Sequence, residues 1–279
     1  MKNLLNKIFK KIKHIYNYLR IDLNIVFNIP YDFIVKKPSA NKEKYIEIYN
    51  EVKNIKYKEI DNFEESCGYF LDKDWLDNLA LYTQIVIKKS QINYQHGRIL
   101  YSLLMKYLNQ NNDKINVLET GTARGFSSIC MSKAILDSNK KGKIYTIDII
   151  PHDQKMFWNC LKDFNGKISR KELLSEWIVY TKNINFLRGR THIVLRKIKF
   201  DRINFAFLDA AHNFKSVKNE FDYVSKKQIS GDLIIFDDVT KNEFDEVFNF
   251  VKQLEEKKIY SISYVASNAS RSYAVAKKL

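Results

Sequence analysis

The 279-residue chain is poor in the residues that mark small secreted or fibrous proteins: three cysteines, three prolines and eight glycines. Cys67, Cys130 and Cys160 are too few and too scattered for a disulfide framework or a zinc site, so a reducing, cytosolic compartment is expected. So little glycine and proline excludes collagen-like, linker-like and low-complexity readings. No run approaches the roughly 18 apolar residues of a membrane span, and the longest apolar stretches, such as Leu233 to Phe236, have strand length. The basic N-terminus leads into further lysines and not into an apolar segment, so no secretory signal is expected. Hydrophobic residues are 45% of the chain and aromatics 14%, which supplies a sizeable core and rules out disorder as the main state. The length suits one large domain or two small ones.

The formal charge is +15, and its distribution is uneven. Residues 1–20 hold six basic side chains and no acid; residues 21–110 balance; residues 111–279 carry +9, of which the last 29 residues supply +4. A basic surface attracts nucleic acid, anionic lipid or phosphorylated substrates, although a Lys- and Asn-rich, Gly-poor composition also follows from genomic base content. Leu4, Leu5, Ile8, Phe9, Ile12, Ile15, Tyr16 and Leu19 recur at three- and four-residue steps, so residues 1–20 read as a basic amphipathic helix. Such a helix either lies at the periphery of an anionic membrane face or packs on its own domain or a second subunit, and packing is the preferred reading. Pro30, Pro38 and the stretch Lys36 to Asn41 mark a linker, so residues 1–40 are set apart as helix plus linker.

Residues 41–110 are expected to be helical, to cover a substrate site or to build a homo-oligomer. One apolar stripe comprises Trp75, Leu76, Leu79, Ala80, Tyr82, Ile85 and Val86, and a second Ile99, Leu100, Leu103, Leu104 and Leu108. His96, in Asn93-Tyr-Gln-His-Gly97, reads as a structural or surface histidine without a neighbouring partner. From residue 111 short apolar runs alternate with helical stretches. Strands are predicted at Ile115 to Leu118, Lys143 to Ile147, Ile184 to Leu187, Ile203 to Leu208, Leu233 to Phe236, Ile259 to Val265 and Ser272 to Ala276. Helices are predicted between them, one of them over 153–178 with Trp158 and Trp177 in the core. This alternation implies an α/β fold, a parallel sheet with helices on both faces.

Ligands of open parallel sheets bind outside the carboxyl ends of the strands, and here those ends are acidic. Glu119 closes the first, Asp148 the second, Asp209 the fourth, and Asp237 with Asp238 the fifth. Five carboxylates at one edge call for a cation or a hydroxyl-rich ligand. The first is followed by Thr-Gly-Thr-Ala-Arg-Gly125-Phe-Ser-Ser128, whose glycines let the backbone turn sharply beside a ligand. It lacks the third glycine of the dinucleotide fingerprint, which disfavours a dinucleotide-dependent oxidoreductase. The spacing acid-x-Gly-x-x-x-Gly resembles motif I of class I S-adenosylmethionine-dependent methyltransferases, and Asp148 matches that family's ribose-binding acid. The resemblance implies a Rossmann-like, mostly parallel seven-stranded sheet and S-adenosyl-L-methionine as cofactor. The implied cofactor-binding residues are Glu119, Gly121, Thr122, Ala123, Gly125, Ser127, Ser128, Asp148 and Asp209, with Arg190, after the third strand, bordering the adenine.

If strands four and five are neighbours, about 4.8 Å apart, Asp209 meets the Asp237–Asp238 pair, and such crowding raises pKa values unless a cation neutralises it. Oxygen ligands select Mg²⁺, Mn²⁺ or Ca²⁺ over zinc. His212, three residues past Asp209, suits a general base near neutral pH. The layout Asp-x-x-His, helix, Gly, strand, Asp-Asp also resembles the divalent-metal-dependent O-methyltransferases of sugars and small natural products, the macrolide-sugar, rhamnosyl and cephalosporin-hydroxylase-like group. By that resemblance Asp209, Asp237 and Asp238 hold Mg²⁺ or Mn²⁺, His212 takes the substrate proton, and the acceptor is a saccharide or small polyhydroxylated metabolite. Two departures stand out: Asp209-Ala-Ala-His212 replaces the common Asp-Gly-Asp-His, and Glu119 replaces the commoner Asp. Among rivals, a base methyltransferase lacks its Pro-Pro-aromatic motif after strand four. An RNA ribose methyltransferase lacks a Lys-Asp-Lys-Glu arrangement, so nucleic acid is not the expected partner. A non-catalytic protein of this fold that binds a membrane or partner through residues 1–20 is the third alternative.

Overall fold

The computed structural model describes residues 37–111, 114–268 and 271–279. The amphipathic segment 1–20 and most of the linker therefore lie outside the described residues. Among the described residues four helices come first: α1 (Lys42–Val52), α2 (Lys58–Cys67), α3 (Lys73–Thr83) and α4 (His96–Gln110). Asn41 and Asp72 cap α1 and α3, their side chains accepting from the N–H groups of Lys44 at 3.1 Å and Trp75 at 2.8 Å, which satisfies orphan donors of the first turn. Helix α3 stops at Thr83, so Ile85 and Val86, read as part of its stripe, continue in a loop, although Ile85 is still fully buried.

The rest of the described chain is α/β: β1 (Ile115–Thr120), α5 (Phe126–Asp137), β2 (Gly142–Asp148), β3 (Ile184–Arg188), β4 (Phe205–Leu208), α9 (Phe214–Ser225), β5 (Leu233–Phe236), α10 (Asp245–Glu256), β6 (Tyr260–Asn268) and β7 (Arg271–Lys278). Three shorter helices, α6 (Arg170–Leu173), α7 (Ile178–Thr181) and α8 (Thr191–Leu195), flank β3. The strands form one seven-stranded sheet in the order β3-β2-β1-β4-β5-β7-β6, parallel from β3 to β5 and antiparallel at β7 and β6. The central strands β4 and β5 are buried at every position, as covered parallel strands must be.

Each face of the sheet packs against its own apolar core. On one side Phe205, Phe207, Ile235 and Val275 pack with α5 and with the N-terminal helices, so residues 41–110 and the sheet share a core. On the other side Ala206, Leu208, Ile234 and Phe236 pack with α9 and α10.

The stretch 153–178 is not one helix. A bridge between Met156 and Ile168, a 3₁₀ turn at Leu161–Asn165, α6, a further 3₁₀ turn at Ser175–Trp177 and α7 replace it. The reason is local competition for backbone groups. The Asp163 carboxylate accepts from the N–H groups of Trp158 at 2.7 Å and Cys160 at 3.2 Å, and Ser169 with Glu172 forms a capping box that starts a new turn. Trp158 and Trp177 are core residues nonetheless.

Candidate active site

The strand order sets β1 between β2 and β4 and brings the acidic strand ends to one edge. At Gly121 the chain leaves β1 with φ +92°, and a Cβ there would stand 2.0 Å from the Asp209 carbonyl oxygen, so only glycine lets the turn lie against the end of β4. Beside this turn opens a cavity of about 630 Å³, bounded by Gly121 and Ala123, by Asp148 to Ile150, by Gly189 to His192, by Asp209 to Ala211 and by Ser216, Asn219 and Glu220 of α9. Five of the sequence-expected cofactor residues line it: Gly121, Ala123, Asp148, Arg190 and Asp209.

The other five sit behind the wall. Glu119 is fully buried, and its two carboxylate oxygens accept from the hydroxyls of Ser127 and Ser128. Burial pushes the Glu119 carboxyl up, and the serine bonds oppose that shift. Thr122 shares a hydrogen bond of 2.5 Å with Thr146 of β2. Gly125 precedes α5 with φ +91°. These residues brace the turn, and its cavity-facing surface is left to Gly121 and Ala123. Asp148 accepts from the N–H groups of Ala123 at 2.6 Å and Ile150 at 2.8 Å. Burial raises its carboxyl, opposed first by the Arg170 guanidinium, whose Nη2 lies 3.7 Å from Oδ2.

Two buried groups have no sequence motif to announce them. Arg170, 1% exposed, donates from Nε to the Ala123 carbonyl at 2.8 Å. Glu220, 4% exposed, accepts from the Thr120 hydroxyl at 2.8 Å, and burial pushes its carboxyl up to about 7.

At the ends of β4 and β5, Asp209, His212 and Asp238 each offer a ligand atom within 4.8 Å of the others. His212 Nδ1 and Asp238 Oδ2 are 3.0 Å apart, and Asp238 holds a left-handed φ of +54° just past the end of β5. Asp237 goes elsewhere. It is ion-paired with Arg271 of β7, which also approaches Asp238 Oδ1 at 3.8 Å. Burial pushes Asp237 up, but the Arg271 charge outweighs it and holds the carboxyl below the usual range. Asp209 is pushed well up by burial and by the charge of Asp237, and Asp238 rises to about 6 for the same two reasons. The three carboxylates thus divide: one is neutralised by an arginine, and two are left crowded around an imidazole.

His96 packs its ring on Phe126 and Phe207 under this edge, with Nδ1 lacking a hydrogen-bond partner among the described residues. Burial lowers its pKa to about 3, so it is a neutral core residue.

Residues 118–239 match the family described as Methyltransferase domain. The match covers 122 of the 279 residues and spans the acidic ends of β1, β2, β4 and β5. Solved structures of the same fold include the O-methyltransferase TomG from Streptomyces achromogenes, solved with SAM (18% identity, 75% of this chain and 91% of that one, TM-score 0.51). Cofactor-bound Rv0187 from MTB (16%, 75% and 90%, TM-score 0.53) and the O-methyltransferase NovP (16%, 73% and 98%, TM-score 0.51) are similar to the same extent. At these identities the likeness is one of fold: a Rossmann-like, mostly parallel seven-stranded sheet with helices on both faces. No curated protein matches the sequence.

Proposed function

We propose that the chain moves the methyl group of S-adenosyl-L-methionine to a hydroxyl of a saccharide or other small polyhydroxylated metabolite. The observation that carries this reading is that Asp209 belongs both to the cavity beside the glycine turn and to the cluster with His212 and Asp238. A nucleoside held by Asp148 would therefore present its sulfonium toward that cluster. TomG, an O-methyltransferase with SAM bound, and the O-methyltransferase NovP share this fold and support both the cofactor and an oxygen acceptor.

The residues divide the work. Asp148 offers a carboxylate to the ribose hydroxyls, and Gly121 lets the backbone approach the amino-acid part. His212 Nδ1 stands 3.0 Å from Asp238 Oδ2, an ion pair once the ring is protonated, and Nε2 is the atom to which this reading gives the acceptor hydroxyl's proton. Asp238 fixes the imidazole and stabilises its cation once charged. The acceptor oxygen attacks the methyl carbon in line as the carbon–sulfur bond breaks, the electron pair staying on sulfur.

The donor set at this edge fits a divalent cation. Asp209 and Asp238 are crowded, raised carboxylates with oxygen donors suited to Mg²⁺ or Mn²⁺. Asp237, the third acid of the sequence reading, would join them only by leaving Arg271. An ion held by Asp209 and Asp238 would supply Lewis-acid chemistry, lowering the pKa of an acceptor hydroxyl. Among the described residues no helix is long and apolar enough to cross a membrane, in keeping with the cytosolic placement we propose. A membrane or subunit role for residues 1–20 stays a proposal about residues outside those described.

The test is methyl transfer from deuterium-labelled cofactor onto a panel of mono- and disaccharides with Mn²⁺, read by mass spectrometry. His212→Ala lowers labelled product by about 10²–10⁴-fold while S-adenosylhomocysteine still binds, and EDTA abolishes transfer until Mn²⁺ returns. Full turnover in H212A refutes the base, and unchanged turnover in EDTA refutes the ion. If cofactor binds but no hydroxyl acceptor is labelled, the oxygen-acceptor reading fails.

A further inference from the structure

A buried guanidinium is unfavourable unless it is paired, and Arg170 is buried without belonging to the cavity wall or to any motif. Its setting is specific. The guanidinium lies over the rings of Trp158 and Phe186, with centroids at 5.5 and 5.9 Å. Nε donates to the Ala123 carbonyl at 2.8 Å, while Nη2 has no hydrogen-bond partner among the described residues and stands 3.7 Å from Asp148 Oδ2. Ala123 closes the figure, because its own N–H donates to that same Oδ2 at 2.6 Å. Ala123 holds φ +44°, a left-handed conformation that alanine adopts at a cost. The two peptides flanking the strained residue are thus pinned, one by Asp148 and the other by Arg170.

Resting on the cofactor reading above, we propose that Arg170 is a positioning residue of the nucleoside site: it locks the Ala123 turn against Asp148 and supplies the countercharge that keeps this carboxylate ready for two ribose hydroxyls. It touches neither cofactor nor acceptor and acts through Asp148 and Ala123. Burial raises the Asp148 carboxyl and Arg170 is the first influence opposing it. Removing the guanidinium therefore lets Asp148 take up a proton at higher pH, and a protonated carboxyl accepts from the ribose less well. Other charged groups around the pair are Glu119 on β1, Arg124 in the turn, and His152, Asp153 and Lys171 on the segment after β2. His152, whose pKa burial lowers, is a second titratable group beside Arg170 and must be separated from Asp148.

The experiment is calorimetric titration of the full chain with S-adenosylhomocysteine from pH 5 to pH 8, for wild type, R170Q, R170K, D148N and the double variant D148N/R170Q. In R170Q the loss of affinity on acidification begins about one pH unit higher than in wild type, a tenfold weakening at intermediate pH. The dependence vanishes in D148N and in the double variant. R170K keeps the charge but not the fork, so its onset shifts less while affinity falls at every pH; it carries the test should R170Q fail to fold. A wild-type onset in both variants, or the same loss at every pH in R170Q, overturns the proposal, as does a slope that survives in D148N/R170Q and so belongs to His152. Wild-type protein that binds no S-adenosylhomocysteine at any pH overturns the cofactor reading itself, and the inference falls with it.

Discussion

Replacing Gly121 by alanine probes the joint between the two halves of the site. The new Cβ would lie 2.0 Å from the carbonyl oxygen of Asp209, 2.7 Å from its carbonyl carbon and 3.2 Å from the Ala210 Cα, against an ordinary contact of 3.4–4 Å. The obstacle is backbone, and that backbone is tied: Asp209 N–H donates to Thr120 at 3.0 Å, and Gly121 N–H to Ile147 at 2.9 Å. Relief therefore requires the turn and the β4 end to part by more than about 1 Å, which overpacking data put at about 1–3 kcal/mol. The left-handed φ of +92° adds about 1–2 kcal/mol for alanine. Gly231 separates the two effects, since it has the same φ of +92° but nothing within 4 Å of the added Cβ. Urea unfolding is expected to show Gly231→Ala losing about 1–2 kcal/mol and Gly121→Ala about 2–5 kcal/mol. G121A also moves Asp209 against the cavity, so its methyl-transfer rate falls about a hundredfold, whereas G231A is unaffected. Equal destabilisation of the two variants, with full transfer in G121A, would refute the reasoning.

Two further perturbations concern stability. The carboxyl of Glu220 titrates at about 7 in the folded chain against 4.5 when unfolded. The folded state thus holds the proton longer, and stability is fully present below pH 4.5 and declines as pH rises to about 7, by about 3 kcal/mol. Glu220→Gln should flatten that part of a stability–pH curve from chemical unfolding, and an unchanged slope would show that the proton is held elsewhere. Tyr107 of α4 donates to the fully buried Asp232 at 2.7 Å, a carboxylate that also pairs with Arg202 at 2.8 Å. Tyr107→Phe removes a charge-assisted bond between the N-terminal helices and the start of β5, and should lower the unfolding free energy by about 1.5–3 kcal/mol; a loss under 0.5 kcal/mol would mean that Arg202 and the Ile229 N–H, 2.8 Å from Oδ2, satisfy the acid without it.

Period and spacing in the sequence made the sheet legible. Seven apolar runs of strand length became seven strands, and the acids at their ends arrived at one edge because parallel strands point the same way. The turn after β1 was legible because Gly121 is required by a close approach that no other residue tolerates. Partner choice was not legible. Nothing local indicates that Arg271, from the last strand, would claim Asp237 and leave Asp209 and Asp238 with His212. Nor does spacing tell that Glu119 would spend both oxygens on Ser127 and Ser128. Arg170 and Glu220 carry no motif, and only the assembled fold removes them from water. The helical reading of 153–178 failed because Asp163 and the Ser169–Glu172 box capture backbone groups that a helix would need, a competition that apolar periodicity does not register.

The central claim is that the cavity beside Gly121 and Asp148 is built for the nucleoside of S-adenosylmethionine. Calorimetric titration of wild type and D148A with S-adenosylhomocysteine at pH 7.5 tests it most directly. One molecule should bind per chain in wild type, and loss of a charged acceptor for two hydroxyls, each bond worth about 1.5–3 kcal/mol, should weaken binding at least a hundredfold in D148A. No heat of binding in wild type, or equal affinities in the two proteins, would contradict it.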